Sequence, residues 1–574
     1  MALCIVRTLT NASVLLLLFL GHAFAQSPAD EFARKQARQE QEQRLDALKK
    51  MTPNDAAASK QQAAVKQPAD GKCFAIDRVE VEGVDQFPDK IVAPLVKPYE
   101  QKCVGLGEIN ALLRDLTYLY LDKGFITSRA YVPEQDIGKT RLLRLVVVEG
   151  KVAEIYLNGK PAPKSGLLAT AFPALRGTLT NIRDIEQGLD QINRLSSNDA
   201  KTAMLPGKSD DTSILNIENK QSFPLHFSLS NSNLGQESTG LSKSSASATA
   251  DNLLGLNDQL SLSYEHSGPD YPWGNDGDGK SNSYSGNVSV PYGYWTVSAN
   301  GSWYEYKSTV PGNFSTLETS GDSGQAGFGV DRVIGRDKDS ITTVKSSLTY
   351  KQTNNFMLGS KIEVGSRQYT VGSLGISHSR RMWDGLWVFD ASYDQGIDLF
   401  GAVEKGEPGA GNADPRFSKF TATIDATRPF VIAKQRFELS STITGQYSPN
   451  NLFGAEQISL GSSSNVRGTR EGQLFGNDGF LVRNELLWRA MPWQASATMA
   501  KVLGELRPYV GLDYGHIYSQ QRLGVDGGDI AGWTGGIRTA GGRLGMDIGY
   551  SDILASSADT DNSGLFYFST SIRF

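Results

Sequence analysis

The run Phe437-Glu-Leu-Ser-Ser-Thr-Ile-Thr-Gly445 alternates apolar residues with polar or small ones, with a period close to two. Successive side chains of a β-strand point to opposite faces, so this period is typical of a strand with one apolar face. Between Ser222 and Phe574 the chain has sixteen such runs, an even number, as a membrane barrel with both chain ends on one side requires. The runs begin near residues 225, 240, 258, 281, 294, 324, 341, 364, 386, 417, 436, 479, 504, 529, 543 and 564.

The connections between these runs alternate in length. Tight connections follow even-numbered runs, at 291–293, 335–338, 381–384, 432–434 and 539–542. Most of the long insertions follow odd-numbered runs, at 267–280, 308–323, 400–415, 450–478, 517–528 and 553–563. Membrane barrels have short turns on the periplasmic side and long loops outside. We therefore predict a 16-stranded antiparallel transmembrane β-barrel over residues 222–574, with the preceding domains in the periplasm.

The composition argues against some classes of protein and is compatible with a membrane barrel. The formal net charge is -5, so the chain lacks the strongly basic character of many nucleic-acid-binding proteins. The mean hydropathy is -0.32, and no run of about 18 apolar residues occurs beyond the N-terminus. A membrane barrel places its apolar residues at every second position, so its mean hydropathy resembles that of a soluble protein.

The first 72 residues divide into three segments. Residues 1–25 are predicted as a secretory signal, with an apolar core at Val14–Leu20 and a small-x-small cleavage site at Ala23-Phe-Ala25. Residues 26–50 are charged and consist mostly of good helix formers. This segment is either a solvated tail or a polar helix inside a water-filled pore. Residues 51–72 lack periodicity and are predicted to be a flexible linker.

Residues 73–221 contain the same order of strands and helices twice, as two α/β units of about 75 residues each. The units span residues 73–150 and 151–221. The first unit contains Cys73 and Cys103. In an oxidising compartment these cysteines suit one disulfide, and two free thiols are the alternative. The two cysteines and the five histidines of the chain show no zinc-ligand spacing.

Parts of these two units resemble a known family. Gly124-Phe-Ile-Thr-Ser-Arg-Ala-Tyr-Val-Pro133, followed by Leu145-Val-Val-Val-Glu-Gly150, resembles the first polypeptide-transport-associated (POTRA) domain of two-partner secretion transporters. Asp184-Ile-Glu-Gln-Gly-Leu-Asp-Gln-Ile-Asn-Arg-Leu195, with Leu205-Pro-Gly207 behind it, resembles their second POTRA domain. The family comprises outer-membrane transporters for haemolysins and filamentous adhesins. The resemblance implies that the two units are POTRA 1 and POTRA 2.

A loop of almost thirty residues, Asn451–Gly479, interrupts the strand pattern and has Val466-Arg467-Gly468 near its centre. A loop of this length in a compact domain is usually functional or disordered. We predict that it folds into the barrel lumen, where Arg467 needs a carboxylate partner because an unpaired buried charge is costly. Strand parity places Asp513 and Glu485 on the lumenal face. A surface arginine on an outer loop is the alternative for Arg467.

Two motifs in this region resemble those of the outer-membrane protein-assembly and secretion superfamily. Val466-Arg-Gly468 matches its loop motif, and Leu512-Asp-Tyr-Gly515 resembles its barrel-wall motif. The family usually has Phe where this chain has Leu512, and often an aromatic residue where it has Thr469. The second difference weakens the expectation of aromatic packing at the loop tip. It leaves the predicted pairing of Arg467 with Asp513 unchanged.

The chain ends in Phe566-Tyr-Phe-Ser-Thr-Ser-Ile-Arg-Phe574, whose alternate residues share one apolar face. The terminal Phe574 resembles the signal by which outer-membrane barrels are recognised for insertion by the barrel-assembly machinery. A soluble edge strand is the alternative, but the pattern would then expose long apolar faces to aggregation.

No residue pattern indicates catalysis or a cofactor. The five histidines are scattered, and none has a candidate nucleophile pattern nearby. No phosphate-binding G-x-x-x-x-G-K-[ST] sequence occurs. The resemblance instead implies an outer-membrane transporter that recognises an unfolded exoprotein in the periplasm and exports it through the barrel. In the resting state, a plug helix within residues 26–50 and the long loop would occupy the pore.

The resemblance also implies partners. They are a large secreted exoprotein (a haemolysin, an adhesin or a contact-dependent toxin) bound through its N-terminal secretion domain, and the lipid around a monomeric barrel. We expect the exoprotein to bind by strand addition near Leu142–Glu149, or at the helix of the second unit. A barrel-assembly insertase is the first alternative, disfavoured by only two repeats and the N-terminal helix. A diffusion porin is disfavoured by the soluble repeats, and a membrane-bound hydrolase by the missing serine or metal constellation.

Overall fold

The computed structural model describes residues 27–51, 73–163, 165–209, 211–268, 279–311, 315–558 and 564–574. The predicted signal (1–25) and nearly all of the predicted linker (51–72) lie outside these ranges. Within them, one long helix is followed by two small α/β domains and a closed barrel. No helix in the described ranges is long and apolar enough to cross a membrane.

Helix α1 spans Pro28–Met51 and lies inside the barrel. The hydroxyl of Ser27 accepts a hydrogen bond of 3.1 Å from the backbone N–H of Asp30, which caps the first turn. Acidic residues occupy the first turn and basic residues the last, as the helix dipole favours. The ring of Phe32 stacks on Tyr304 of the wall, with 4.2 Å between ring centroids. The wall and the lumen supply the polar surroundings that this helix needs.

The elements of the first α/β domain are β1 Cys73–Ile76, β2 Arg78–Glu82, α2 Asp89–Val96, β3 Lys102–Gly105, α3 Leu106–Asp122, β4 Arg129–Tyr131, α4 Ile137–Thr140 and β5 Leu142–Val148. The sheet order is β2-β5-β4, and β1 pairs with β3 separately. The core lies between one face of the three-stranded sheet and the helix α3. Leu112 and Leu116 of α3 are fully buried with Leu143 and Leu145 of β5.

The second α/β domain repeats this plan. Its elements are β6 Lys151–Leu157, β7 Lys160–Pro161, α5 Leu167–Ala171, α6 Ile182–Asn193, β8 Asn198–Pro206 and β9 Thr212–Gln221. The four strands form one sheet of order β7-β6-β9-β8. Ile185 and Ile192 on one face of α6 are buried against this sheet, as the helical spacing of the apolar residues predicts.

Sixteen antiparallel strands form the closed barrel, which confirms the predicted fold class. They are β10 Leu225–Ser232, β11 Ser242–Asp251, β12 Gln259–Gly268, β13 Lys280–Tyr292, β14 Trp295–Pro311, β15 Thr316–Arg336, β16 Ser340–Met357, β18 Arg367–Met382, β19 Gly385–Ile397, β20 Ser418–Ile432, β21 Gln435–Tyr447, β24 Gly479–Arg489, β25 Gly504–Ile517, β26 Gly528–Gly541, β27 Leu544–Ser556 and β28 Leu565–Arg573. Short extra elements are β17 Ser360–Lys361, β22 Ile458–Leu460, β23 Leu474–Gly476 and α7 Ala497–Leu503. The barrel closes where β10 pairs with β28.

Fifteen of the sixteen strands begin within three residues of the predicted position. The exception is β15, which begins at Thr316 instead of near residue 324. Its first residues, Thr316 to Gly321, pair with the outer end of β14. They are mostly polar, so the apolar alternation that marks the rest of the strand does not extend into them.

The second α/β domain packs on the periplasmic turns of the barrel. Two side-chain amides of α6, those of Gln187 and Gln191, donate to the carbonyl of Gly293 at 3.2 and 3.0 Å. Arg336, at the end of β15, donates to the carboxylate of Asp190 at 2.6 Å. Burial raises the pKa of Asp190 to about 6, and the Arg336 guanidinium opposes this shift. These contacts hold the domain beneath the pore opening.

Candidate functional site

The long loop between β21 and β24 folds back into the barrel lumen. Its short hairpin, β22 with β23, lies against the inner wall. Leu460 and Val466 of the loop are fully buried with Leu481 and Ile517 of the wall. An apolar loop face therefore packs on an apolar patch of the lumen, which keeps both from water.

Glycines on the lumenal face of the wall make room for this loop. A Cβ atom at Gly511 would lie 2.2 Å from Nη2 of Arg467, and one at Gly532 would lie 1.7 Å from the Arg467 carbonyl oxygen. A Cβ at Gly515 would lie 2.3 Å from a methyl group of Leu460. No side chain fits at these distances. These wall glycines lie at lumenal positions and are a signal for a close loop that the sequence analysis did not use.

Arg467 at the loop centre is buried and binds Asp513 of β25 in a bidentate manner. Its Nε donates to Oδ2 at 2.6 Å and its Nη2 donates to Oδ1 at 2.8 Å. The backbone N–H of Arg467 donates to the same carboxylate at 3.0 Å. Three hydrogen bonds therefore converge on one buried carboxylate, the geometry in which charge-assisted pairs are strongest.

Glu485 of β24 links Arg467 to a second arginine. The Glu485 carboxylate accepts from Nη1 of Arg467 at 2.8 Å and from Nη2 of Arg538 at 3.0 Å. Arg538 lies over the ring of Tyr509, 3.9 Å from its centroid. The cluster pairs two carboxylates with two guanidinium groups, so each buried charge has an opposite neighbour. Arg538 belongs to this cluster and was missed in the sequence, where its strand is dominated by glycine.

The same loop contacts helix α1 through two of its carbonyl groups, those of Ser464 and Gly454. The carbonyl oxygen of Ser464 accepts from Nη1 of Arg38 in α1 and from Nη1 of Arg483 in β24, each at 3.0 Å. Arg34 of α1 donates to the loop carbonyl of Gly454 at 2.5 Å and lies over the ring of Phe475, 4.4 Å from its centroid. Helix and loop therefore form one continuous obstruction in the lumen.

A second charge cluster lies at the outer end of the lumen. Asp30 at the start of α1 pairs with Arg367 of β18. Glu456, in the first part of the loop, pairs with Lys351 at 2.5 Å and Lys419 at 2.6 Å. These ion pairs hold the extracellular ends of α1 and of the loop against the barrel wall.

Of the other residues singled out in the sequence, the two cysteines and Phe574 lie apart from the lumen, and Thr469 lies in the loop. Cys73 and Cys103 form a disulfide between β1 and β3, with their Cα atoms 5.4 Å apart. Phe574 is exposed, and its backbone N–H donates to the carbonyl of Phe227 in β10 at 2.9 Å. Thr469, beside the loop motif, donates to the Glu471 carbonyl at 3.0 Å. Among the described residues, no group of three or more His, Cys, Asp or Glu side chains could hold a metal ion.

The surface expected for strand addition in the first α/β domain lies on the central strand of its sheet, β5 (Leu142–Val148), which pairs with β2 on one side and β4 on the other. β4 pairs only with Val146–Val148, so among the described strands the backbone of Leu142–Leu145 has no partner on that side. There the side-chain amide of Gln135 donates to the Arg144 carbonyl and accepts from the Arg144 N–H. The helix of the second domain, α6, was the other expected surface, and part of it is already covered by the barrel turns. Strand propensity does not tell whether β5 is central or at an edge, because the order of strands in a sheet is a tertiary property.

Family models match most of the chain. The model of the haemolysin secretion/activation protein ShlB/FhaC/HecB matches residues 211–539. A ShlB-type POTRA domain matches residues 74–150, and a further POTRA domain matches residues 151–206.

Relatives and solved structures agree with these models. The chain is 30% identical to the outer membrane transporter CdiB of Dickeya dadantii, over 83% of this chain and 82% of that protein. It is also 30% identical to the hemolysin transporter protein ShlB of Serratia marcescens, over 82% of this chain and 79% of that protein. The structure of CdiB from Escherichia coli, 26% identical, matches with a TM-score of 0.84 over 96% of this chain and 99% of its own. The chain therefore belongs to the ShlB/FhaC/HecB family and is an outer-membrane transporter of two-partner secretion, with two periplasmic POTRA domains ahead of its barrel.

Proposed function

We propose that the POTRA domains bind an unfolded exoprotein through its N-terminal secretion domain, and that this binding opens a lumen obstructed at rest. The observation that carries the proposal is the joint obstruction by α1 and the long loop, which meet at the Ser464 carbonyl. A partner can open such a pore only if it binds the open state more tightly than the closed one.

The contacts of α1 suit a segment that leaves the pore. The contacts that α1 makes with the wall are mostly polar, such as Gln41 to Thr423 at 2.7 Å and Lys49 to Asp425 at 2.7 Å. Water can replace these partners when the helix moves out, so their net contribution is small. Apolar packing is confined to the two ends, where Phe32 contacts Tyr304 and Leu48 lies by Val388. A polar helix with few apolar contacts fits a reversible plug.

The free edge of POTRA 2 is the surface we assign to the exoprotein. β8, Asn198–Pro206, is an edge strand of nine residues, and only β9 pairs with it among the described strands. The opposite edge, β7, has two residues. An unfolded chain can add to an edge strand through main-chain hydrogen bonds, with little demand on its sequence. β8 also belongs to the domain that packs on the barrel turns, which places the bound segment near the pore.

Export by this route needs no covalent chemistry and no nucleotide, so we propose a transporter without enzymatic activity. Net outward movement would come from folding of the exoprotein outside the cell. The same route suits a haemolysin, an adhesin or a contact-dependent toxin, and two relatives are named hemolysin transporters. We further propose that the barrel acts as a monomer and that Phe574 is read by the barrel-assembly machinery.

Site-specific photo-crosslinking tests the assignment of β8. A benzophenone amino acid at Lys201 should crosslink to a secretion domain supplied in the periplasm, because this side chain is exposed on the edge strand. The same probe at Lys139 of POTRA 1, also exposed, is the matched control. Crosslinking from Lys139 but none from Lys201 would refute strand addition at β8.

A further inference from the structure

The lipid-facing surface of the barrel has a groove across strands β15, β16, β18 and β19. The groove has a volume of about 400 Å³, and its lining includes Phe328, Ser346, Leu348 and Leu374. Small residues form the floor of the groove. Ser346 of β16 lies between its register partners on β15 and β18, and Gly372 of β18 lies one lipid-facing register pair closer to the extracellular side. Phe328 and Leu374 stand exposed at its sides. The small residues between larger ones leave a depression in the barrel surface. This depression can hold an extended apolar chain.

An arginine lies at the periplasmic end of this groove. Arg332 of β15 is one lipid-facing position closer to the periplasm than Val330, about 7 Å along the strand. It is exposed and stacks on Trp295 of β14, with its guanidinium carbon 4.7 Å from the ring centroid. In the described part of the chain, no ion pair joins it to a carboxylate.

Arg332 lies among apolar residues on the lipid-facing surface of the barrel. Its register partner Val344 and the next partner, Ile376, are exposed apolar residues on the same lipid-facing surface. Tryptophan side chains of membrane proteins prefer the level of the lipid headgroups, which identifies the level of Trp295 and its neighbour. The guanidinium matches the planar geometry of a phosphate and keeps its charge at any physiological pH.

We propose that this surface binds one anionic glycerophospholipid of the periplasmic leaflet, with its phosphate on Arg332 and one acyl chain in the groove. The charge complementarity selects a lipid over a second protein chain, because the groove is apolar where the acyl chains lie and cationic where the headgroups lie. Zwitterionic lipids offer the same phosphate but carry a compensating amine. We therefore expect preference for phosphatidylglycerol over phosphatidylethanolamine.

Native mass spectrometry of the full-length transporter, released from detergent after incubation with either lipid, tests the site. The wild type should retain one phosphatidylglycerol in preference to phosphatidylethanolamine by roughly fivefold, a ratio that corresponds to about 1 kcal/mol. Arg332→Gln should reduce this preference to about onefold, and Arg332→Lys should keep most of it because a charge remains. Ser346→Trp should reduce retention of both lipids, because the indole fills the groove.

Arg428→Gln is the matched control. Arg428 is an exposed arginine near the periplasmic end of β20, away from the groove, and lies 3.8 Å from Asp384. Its replacement should leave lipid retention unchanged, and the thermal unfolding of each variant in detergent checks that the barrel is intact. Equal retention of the two lipids by the wild type would overturn the proposal. An equal reduction in Arg332→Gln and Arg428→Gln would also overturn it, since it would show a general cationic belt.

Discussion

Helix α1 and the Arg467 loop obstruct the same lumen, but they are held in different ways. The loop packs apolar side chains on the wall and buries a bidentate ion pair between Arg467 and Asp513. The helix is polar all round and makes mainly single hydrogen bonds and ion pairs with the wall, with one buried pair, Asp30 with Arg367, at its first turn. Breaking one partner of a buried pair leaves an uncompensated charge, whereas water replaces a polar partner that it can reach. The comparison supports our proposal that the helix, and not the loop, is the segment that leaves the pore.

The largest effect is expected from Arg467→Ala. It removes the partner of the buried Asp513 carboxylate, and changes of this kind cost about 3–5 kcal/mol. We expect export of the exoprotein to fall by at least about tenfold. Secretion assays measure export, and heat-dependent mobility in gels shows whether the barrel still folds and inserts. Arg416→Ala, which breaks an exposed pair with Asp398, is the control and should leave export unchanged. If the Arg467→Ala variant exported as well as the wild type, the pairing of Arg467 with Asp513 would not be needed for export.

The reversed pair Arg467→Asp with Asp513→Arg sharpens this prediction. If the two side chains act through their mutual pairing, the double variant should export better than either single variant. The recovery should be partial, because Glu485 and Arg538 remain oriented for the original charges. If the double variant exports no better than the weaker single variant, the prediction that the two residues act as a pair is not supported.

A steric substitution at Gly511 should produce the next largest effect. A Cβ there already falls 2.2 Å from Nη2 of Arg467, so Gly511→Val must displace the arginine or the loop while all charges remain. We expect export to fall several-fold, less than in Arg467→Ala because the pair can partly re-form. Gly445→Val, at a position whose Cβ meets no atom closer than 4.0 Å, is the matched control. Equal export by both variants would show that the loop does not depend on this close approach.

Deletion of residues 28–50 should have a smaller effect on export and a clear effect on conductance. The helix is one of two segments in the lumen, so its removal should raise single-channel conductance in planar bilayers while the Arg467 pair stays intact. We expect export to stay within about threefold of wild type, because water can replace most of the hydrogen bonds between the helix and the wall. A full-length protein with the scrambled sequence of this segment controls for length. A fall in export as severe as in Arg467→Ala would contradict the division of roles.

The smallest effect is expected from Arg38→Gln. It shortens one donor to the Ser464 carbonyl, whose second donor, Arg483, remains. We expect the open probability of the pore to rise by about fivefold or less, with export unchanged, because one partly exchangeable hydrogen bond contributes about 1 kcal/mol. Gln36→Ala removes a hydrogen bond with Ser302 of the wall, and it therefore separates helix–wall pairing from helix–loop pairing. If Arg38→Gln raised the conductance as much as the deletion does, Arg38 would provide the main contact that holds the helix in the lumen.

Strand parity accounts for much of what could be predicted about the lumen. Alternation places Asp513 and Glu485 inward, and both lie within hydrogen-bond distance of Arg467. The same reasoning could not find Arg538, because its strand contains many glycines and little apolar alternation. It also could not show that β5 is the central strand of its sheet, because strand propensity does not tell whether a strand is central or at an edge.

The sequence by itself determined the number of strands, the face of each side chain, the tandem domains and the identity of the lumenal acids. These properties depend on neighbours a few residues away, through the period of two along a strand. Only the tertiary structure decided that α1 lies in the pore, that the loop turns inward, and that the two meet at Ser464. Those contacts join residues more than 400 positions apart, such as Arg34 with Gly454 and Arg38 with Ser464. Their partners come from a closed wall, which exists only after all sixteen strands have paired.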